Sequence, residues 1–238
     1  MMALKPYQAV IFDLDGTLLD TLEDIGATVN RVLSARGFPI HPIDAYRFYL
    51  GDGVAKLITR ALPEDKRDAE TVRSCLEAYR ADYGRHWNVK TRLYDGVSAM
   101  LDALTTRDLK LAILSNKPHE FSQECVREFL SRWSFDLVFG QRDGVPLKPD
   151  PAGALAIAHF LGIPPAACLY LGDTAIDMKT AIAAGMTPVG ALWGFRPMEE
   201  LRESGATILI QEPLQILGLL EYSRRPITTG RRGRRKKS

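Results

Sequence analysis

Six short apolar runs, separated by segments with helical periodicity, constrain the fold of this 238-residue chain more than any other feature. The runs lack the alternation of a half-exposed strand, which is typical of strands buried on both faces of a sheet. In the segments between them, apolar residues recur at intervals of three and four, as at Val97, Leu101 and Leu104, and this spacing favours helices. We therefore predict an α/β fold with a doubly wound, parallel, Rossmann-like sheet. The runs are residues 8–12, 109–114, 137–139, 168–171, 188–192 and 207–210.

One long stretch between the first two runs breaks this alternation. Within residues 21–89 the apolar spacing is helical wherever it is periodic, as at Leu57 and Ala61, and no segment resembles a buried strand. We therefore predict an all-helical cap at residues 21–89, inserted into an α/β core formed by residues 1–20 and 90–222.

The charge of the chain is concentrated at its C-terminal end. The sequence has 31 basic and 29 acidic residues, and eight of the basic ones lie within residues 224–238, which contain no acid. The rest of the chain therefore has 23 basic residues and a net charge of −6. We expect residues 223–238 to be a basic, disordered tail. Because the body is acidic, contact with nucleic acid is expected at most through this tail.

Composition excludes several classes of protein. With 46% hydrophobic and 25% charged residues, the chain has the balance of a globular protein. No apolar run approaches the roughly 20 residues that span a bilayer, and no secretory signal precedes the first strand. The three cysteines share no metal-ligand spacing. We expect a reduced, cytoplasmic protein with no membrane partner, and nothing in the sequence indicates its oligomeric state.

Polar side chains follow three of the predicted strands. Asp13, Asp15 and Thr17 follow the first, Ser115 and Asn116 follow the second, and the set at the fourth is Asp173, Thr174 and Asp177. Lys148 lies in a loop before a further helix. Ligands of an open α/β sheet bind outside the carboxyl ends of its strands, so we expect these groups to converge.

The chemistry of this set points to phosphate. Several carboxylates brought together repel unless a cation neutralises them, and oxygen ligands without His or Cys suit a hard ion such as Mg²⁺. The sequence contains no Gly-x-x-x-x-Gly-Lys-Ser/Thr loop, so nucleotide binding of that type is not expected. What remains is phosphoryl transfer through an Asp nucleophile, with hydrolysis of an aspartyl-phosphate.

Four ordered motifs resemble those of the haloacid dehalogenase superfamily. Residues 12–18 (FDLDGTL) resemble its first motif, residues 115–117 (SNK) the second, Lys148-Pro149 the third, and Gly172-Asp173 with Asp177 the fourth. The resemblance covers nearly the whole chain to about residue 220. It implies an α/β hydrolase with a Mg²⁺ cofactor.

The resemblance also implies roles for the acidic residues. Asp13 would be the nucleophile and a metal ligand. Asp15 would be the general acid and then the general base, and its backbone carbonyl would bind the metal. Asp173 would bind the metal directly, whereas Asp177 would do so directly or through water, or would orient Lys148.

The remaining motif residues would bind substrate. Ser115, with the Asn116 amide, would hold the phosphoryl oxygens, and Lys148 would neutralise charge between nucleophile and phosphate. Thr17 is a further candidate, although its hydroxyl more naturally stabilises the turn. Gly51 and Gly53, which precede a predicted helix, would let backbone amides approach an anionic substrate.

Two features select among the branches of the superfamily. The acid at Asp15 favours phosphatase or phosphomutase chemistry over dehalogenation. Beta-phosphoglucomutases have a His where this chain has Ile25, and they have an Arg shortly after a cap glycine that is absent here. The segment from Gly51 to Leu62 instead resembles phosphoglycolate phosphatases, in which a Gly-x-Gly turn precedes a helix ending in Arg-Ala-Leu.

We therefore predict a Mg²⁺-dependent phosphatase of a small phosphorylated metabolite, with 2-phosphoglycolate as the leading substrate. The open alternatives are a phosphatase of pyrophosphate or a sugar phosphate, and a beta-phosphoglucomutase-like enzyme. A non-enzymatic alternative is a phosphate-binding protein whose tail contacts nucleic acid. The Asp13 and Asp15 pair argues against it, since a binding protein does not need an acid–base residue.

Overall fold

A six-stranded parallel sheet forms the centre of the computed structural model, which describes residues 7–222. The strand order is β5-β4-β1-β6-β7-β8, so the chain starts in the middle and extends to both sides. This confirms the α/β fold with a doubly wound parallel sheet. The strands are β1 (Ala9–Phe12), β4 (Lys110–Pro118), β5 (Leu137–Gln141), β6 (Cys168–Gly172), β7 (Thr187–Ala191) and β8 (Ile208–Ile210).

Both faces of the sheet are covered by helices. On β1, Val10 and Phe12 point into one apolar cluster with α5, α6 and α10, whereas Ala9 and Ile11 point into a second with α7 and α8. All four side chains are fully buried, which explains why this strand reads as a continuous apolar run. The helices outside the insertion are α5 (Val97–Thr105), α6 (His119–Phe129), α7 (Ala152–Leu161), α8 (Ala175–Ala183), α9 (Met198–Glu203) and α10 (Ile216–Tyr222).

Four α-helices lie within residues 21–89, and they have an apolar cluster of their own. Leu33, Leu57 and Tyr83 are fully buried members of this cluster, in which Phe121 and Phe195 from outside the insertion also pack. The four are α1 (Leu22–Ser34), α2 (Tyr46–Tyr49), α3 (Val54–Ala61) and α4 (Ala69–His86).

A two-stranded antiparallel ribbon, which the sequence analysis did not predict, joins the two ends of this insertion. It consists of β2 (Leu19–Asp20) and β3 (Arg92–Leu93). Asp24 of α1 reinforces it by accepting hydrogen bonds from the backbone N–H groups of Lys90 and Thr91 and from the Thr91 hydroxyl.

The described residues also bear on two properties of the chain as a whole. No helix within residues 7–222 is long and apolar enough to cross a membrane. The three cysteines are buried and unpaired. The basic tail predicted at residues 223–238 lies outside the described residues.

Candidate active site

Register in the sheet brings the predicted site residues together. Phe12 of β1 aligns with Ile113 of β4 on one side and with Leu171 of β6 on the other. Asp13 directly follows Phe12, and Ser115 and Asp173 come two residues after the aligned partners. Because the strands are parallel, all three lie at the same edge of the sheet, where its order reverses direction.

Three carboxylates converge at this edge. Asp13, Asp173 and Asp177 each place one oxygen within 4.8 Å of the others, and all three are buried. The Lys148 ammonium lies 2.8 Å from Asp13 Oδ1 and 2.7 Å from Asp177 Oδ1. Burial would lower the pKa of Lys148, but Asp13 and Asp177 outweigh it and hold that pKa well above its usual range. One fully charged ammonium therefore faces three carboxyl groups.

Asp13 keeps one oxygen free of protein donors. Its Oδ1 accepts a hydrogen bond from the Leu14 N–H at 2.7 Å as well as the Lys148 contact, whereas Oδ2 accepts none from residues 7–222. Burial, reinforced by Asp177, raises the pKa of Asp13 well above its usual range, and Lys148 opposes this shift. A carboxylate with one anchored and one unoccupied oxygen is oriented for attack or for metal binding.

Asp173 is fixed from two sides. Its Oδ1 accepts from the Thr17 hydroxyl at 2.8 Å, and its Oδ2 accepts from the Phe195 N–H at 2.8 Å. Burial and then Asp177 raise the pKa of Asp173 to about 7, although both hydrogen bonds oppose the shift. The structure places Thr17, which is fully buried, behind this carboxylate, and it is not among the residues that line the cleft described below.

Asp177 is held by Lys148 and by its own helix. Its Oδ2 accepts from the Thr174 N–H at 3.0 Å and from the Thr174 hydroxyl at 2.6 Å, and its Oδ1 accepts from Lys148. Thr174 and Asp177 thus form a capping box at the start of α8. The Asp177 carboxylate therefore lies between the Lys148 ammonium and the first turn of α8.

The donor set fits a hard divalent cation. It consists of carboxylate oxygens only, without a His or Cys, and carboxyl burial without enough positive charge is unfavourable. Asp13 and Asp173 would hold such an ion, with Asp177 at the same edge. The Asp15 side chain does not belong to this group of three.

Asp15 instead pairs with a residue to which the sequence analysis gave no role. The Lys117 ammonium lies 3.0 Å from Asp15 Oδ1 and 3.2 Å from Oδ2, and it also donates to the Tyr83 hydroxyl at 2.7 Å. A signal for Lys117 was present, since in extended chain it faces the same side as Ser115, two residues earlier. Tyr83 is distant in sequence and gave no such signal.

Asn116 connects the strand end to the insertion. Its side-chain amide donates to the Gly51 carbonyl at 2.9 Å and to the Lys148 carbonyl at 3.0 Å, and its Oδ1 accepts from the Lys148 N–H at 2.9 Å. The polar atoms of this side chain are therefore engaged by backbone groups of Gly51 and Lys148. Ser115 is buried beside it, and its hydroxyl accepts from the Lys117 N–H at 3.2 Å.

A cleft lies between the strand ends and the inserted helices, and its empty space, including the part open to solvent, is about 540 Å³. Asp13, Asp15, Ser115 and Lys148 line one side of it. Gly51 and Gly53, with φ of +113° and +82°, lie at the other side before α3, where a residue with a Cβ would be strained. Asn116, Lys117 and Pro118 follow Ser115 in the lining. The rest is apolar or aromatic and comes from Ile25, Leu50, Val54, Leu57, Tyr79, Tyr83, Phe121 and Phe195.

Comparison with known proteins agrees with this geometry. Residues 10–191 match the family of haloacid dehalogenase-like hydrolases. The chain belongs to that family. This haloacid dehalogenase-like hydrolase is a phosphatase, a phosphoric monoester hydrolase, and the resemblance in its four motifs is thereby confirmed.

Similar proteins cover the hydrolase almost completely. It is 33% identical over 221 residues to a phosphoglycolate phosphatase of Neisseria gonorrhoeae, which covers 92% of each chain. It is 32% identical to a phosphoglycolate phosphatase of Xanthomonas campestris pv. campestris, over 88% of this chain and 94% of the relative. The crystal structure of a candidate phosphoglycolate phosphatase from Lactobacillus delbrueckii subsp. bulgaricus superposes with a TM-score of 0.85 at 29% identity, over 90% of this chain and 98% of that one.

Proposed function

We propose that the protein is a Mg²⁺-dependent phosphatase that hydrolyses 2-phosphoglycolate to glycolate and phosphate through an aspartyl-phosphate (an acyl phosphate) at Asp13. The observation that carries this proposal is the unoccupied Asp13 Oδ2 beside Lys148, at the edge of a cleft that also contains Asp15. One carboxylate is thus oriented for attack and a second is available for proton transfer.

In the first half-reaction, Asp13 Oδ2 attacks phosphorus and the bond from phosphorus to the leaving oxygen breaks. Asp15 donates its proton to that oxygen, which leaves as an alcohol. Lys148 and the Ser115 hydroxyl stabilise the charge on the phosphoryl oxygens. In the second half-reaction, Asp15 takes a proton from water as the water attacks the aspartyl-phosphate, which releases phosphate and restores Asp13.

The acidic group supports a Mg²⁺ cofactor. Asp13 and Asp173 would hold the ion, together with Asp177 directly or through water and the Asp15 backbone carbonyl. When bound, the ion neutralises charge on the carboxylates and on the phosphate. Thr17 keeps Asp173 oriented through the hydrogen bond from its hydroxyl.

The substrate proposal depends on the names of the relatives and on the opposite side of the cleft. There the backbone at Gly51, Gly53 and Val54 leads into α3, whose N-terminus favours an anion such as the carboxylate of 2-phosphoglycolate. The Tyr79 hydroxyl, which makes no hydrogen bond within residues 7–222, is available to the same group. Ile25 lines the cleft without supplying the base that a phosphomutase would use.

We further propose that residues 21–89 act as a cap over a core made of residues 1–20 and 90–222. The separate apolar cluster of α1 to α4 supports this division, as does the short ribbon that joins the ends of the insertion. Because cap side chains line the cleft, they would choose the leaving group while the core performs the chemistry.

Hydrolysis of a panel of phosphate esters with Mg²⁺ and with EDTA tests the proposal. We expect 2-phosphoglycolate to exceed pyrophosphate and glucose 6-phosphate in kcat/KM, and EDTA to abolish turnover. Asp13→Asn should lower kcat by at least about 10³-fold, since an amide cannot replace the nucleophile. The matched control is Asp143→Asn, which changes an exposed acid. A loss below tenfold for Asp13→Asn, or full activity in EDTA, would refute the mechanism.

A further inference from the structure

Lys117 is a buried ammonium that contacts two protein groups. Its side chain is 4% exposed, and its contacts are the two Asp15 oxygens at 3.0 and 3.2 Å and the Tyr83 hydroxyl at 2.7 Å. Within residues 7–222 the ammonium makes no further hydrogen bond or ion pair. The role of Lys117 is therefore to be sought in the two residues that it holds.

Asp15 depends on Lys117 for its orientation. Within residues 7–222 its carboxylate makes no other hydrogen bond or ion pair, in contrast to Asp13, Asp173 and Asp177, which are each held by two or more donors. Its side chain is 17% exposed and lines the cleft. Without the ammonium, the carboxylate would be free to rotate away from the leaving oxygen.

Tyr83 ties this pair to the inserted helices. It lies in α4, 1% exposed, stacked on Tyr79 with ring centroids 5.2 Å apart. Phe121 of α6 packs edge-on against it at 5.0 Å, and the Lys117 ammonium lies 4.8 Å from its ring centroid. The Tyr83 hydroxyl is therefore placed by packing between the insertion and the sheet side of the cleft.

We propose that Lys117 is a positioning residue for Asp15. Because Tyr83 holds Lys117, this positioning depends on how α4 packs against α6. The inference rests on the proposed function, because it concerns the proton transfers assigned to Asp15. Asp15 is correctly oriented when the hydroxyl of Tyr83 holds Lys117, which happens only when the inserted helices cover the cleft. Proton transfer and closure are thereby coupled.

Stability alone does not account for this arrangement. Burying an ion pair costs both partners their hydration, so such pairs commonly add little net stability over apolar residues of similar size. At the cleft, the contact of both Asp15 oxygens with the Lys117 ammonium instead fixes the orientation of the Asp15 carboxylate. Asp15 is the residue for which orientation matters most, since it must reach the leaving oxygen and later the water.

A double-mutant cycle tests the proposal on the full chain. Single-turnover rates of enzyme phosphorylation are measured with phenyl phosphate, a poor leaving group, and p-nitrophenyl phosphate, a good one. We expect Lys117→Met to lower the phenyl phosphate rate by roughly 10- to 100-fold and the p-nitrophenyl phosphate rate clearly less, because the latter needs less protonation. In an Asp15→Asn background the same substitution should cost less than about threefold, since its target is already lost.

The cycle and one further variant can each overturn the proposal. Losses that multiply across the cycle, or that are equal for the two esters, would overturn the assignment to Asp15. Tyr83→Phe removes only the hydroxyl and keeps the ring packing, so it should reproduce a smaller, roughly three- to tenfold version of the effect. If thermal melting shows that Lys117→Met is unfolded, the rates of Tyr83→Phe test the proposal in its place. An unchanged phenyl phosphate rate for a folded Tyr83→Phe would overturn the link to α4.

Lys110→Met is the matched control. Lys110 lies on the same strand as Lys117, but it is exposed and forms an ion pair with Asp136. A wild-type chain that transfers phosphate neither from these esters nor from 2-phosphoglycolate overturns the proposed function, and this inference with it. A wild-type chain that is active but shows an additive cycle overturns only the inference. The two failures are therefore distinguishable.

Discussion

The buried acids at the strand ends should make the metal-free protein less stable as pH rises. Asp173 has its pKa raised from 3.8 to about 7, first by burial and then by Asp177. Between these two pH values the folded chain keeps a proton on this carboxyl that the unfolded chain has released. Because the folded state binds more protons, the free energy of unfolding falls with increasing pH across this window.

The shift sets the magnitude of the effect. A difference of about 3 pH units, at about 1.4 kcal/mol each, corresponds to on the order of 4 kcal/mol by the time the pH exceeds 7. Asp13, whose pKa is also raised, adds to the loss. A typical domain has only about 5–15 kcal/mol of stability, so this term is a large part of the total. The group contributes no destabilisation below about pH 4, where both states are protonated.

Urea unfolding in EDTA at pH 5, 6, 7 and 8 measures this slope. The control is Asp173→Asn, which cannot titrate, so the difference in slope between the two proteins isolates Asp173 from the histidines. In excess Mg²⁺ the wild-type slope should flatten, because a cation that binds ionised carboxylates stabilises the folded state. Equal slopes for wild type and Asp173→Asn in EDTA would refute the reasoning, whatever their absolute stabilities.

Three further results are expected. Asp15→Asn should lower turnover by roughly 10²- to 10⁴-fold in steady-state assays while keeping the Mg²⁺-induced rise in Tm, and loss of that rise would contradict the separation of Asp15 from the three carboxylates. Gly194→Ala places a Cβ 2.3 Å from Asp173 Cβ, so urea unfolding should show a loss above about 1 kcal/mol, whereas Gly218→Ala, with open space, should not. A chain stopped at Tyr222 should keep kcat within about twofold; a folded variant that loses most of its kcat/KM would show that the tail serves the site.

The core and its acidic edge could be predicted because their signals are local. A strand buried on both faces reads as an apolar run, as in Ala9–Phe12, and a polar residue directly after it must lie at the carboxyl edge of a parallel sheet. Asp13 and Asp173 needed no further information to be placed side by side.

The features that escaped prediction depend on contacts between distant segments. The ribbon of Leu19–Asp20 and Arg92–Leu93 has two residues a strand, too few for any periodicity. The Asn116 side chain donates hydrogen bonds to the carbonyls of Gly51 and Lys148, and its motif does not predict these contacts. Nothing local to residue 116 indicates where the Gly51 segment will lie.

The same distinction explains why the surroundings of Asp15 and Asp13 differ in predictability. Asp13 is held by Leu14, its neighbour in sequence, and by Lys148, and neither residue belongs to the inserted helices. Asp15 is held through Lys117 by Tyr83, which the chain reaches only after three inserted helices. The contacts of Asp15 therefore depend on how the inserted helices pack against the sheet. The periodicity of apolar residues does not determine that packing. If leaving-group protonation depends on that seating, substitutions in the α4–α6 contact will change proton transfer without touching a motif residue.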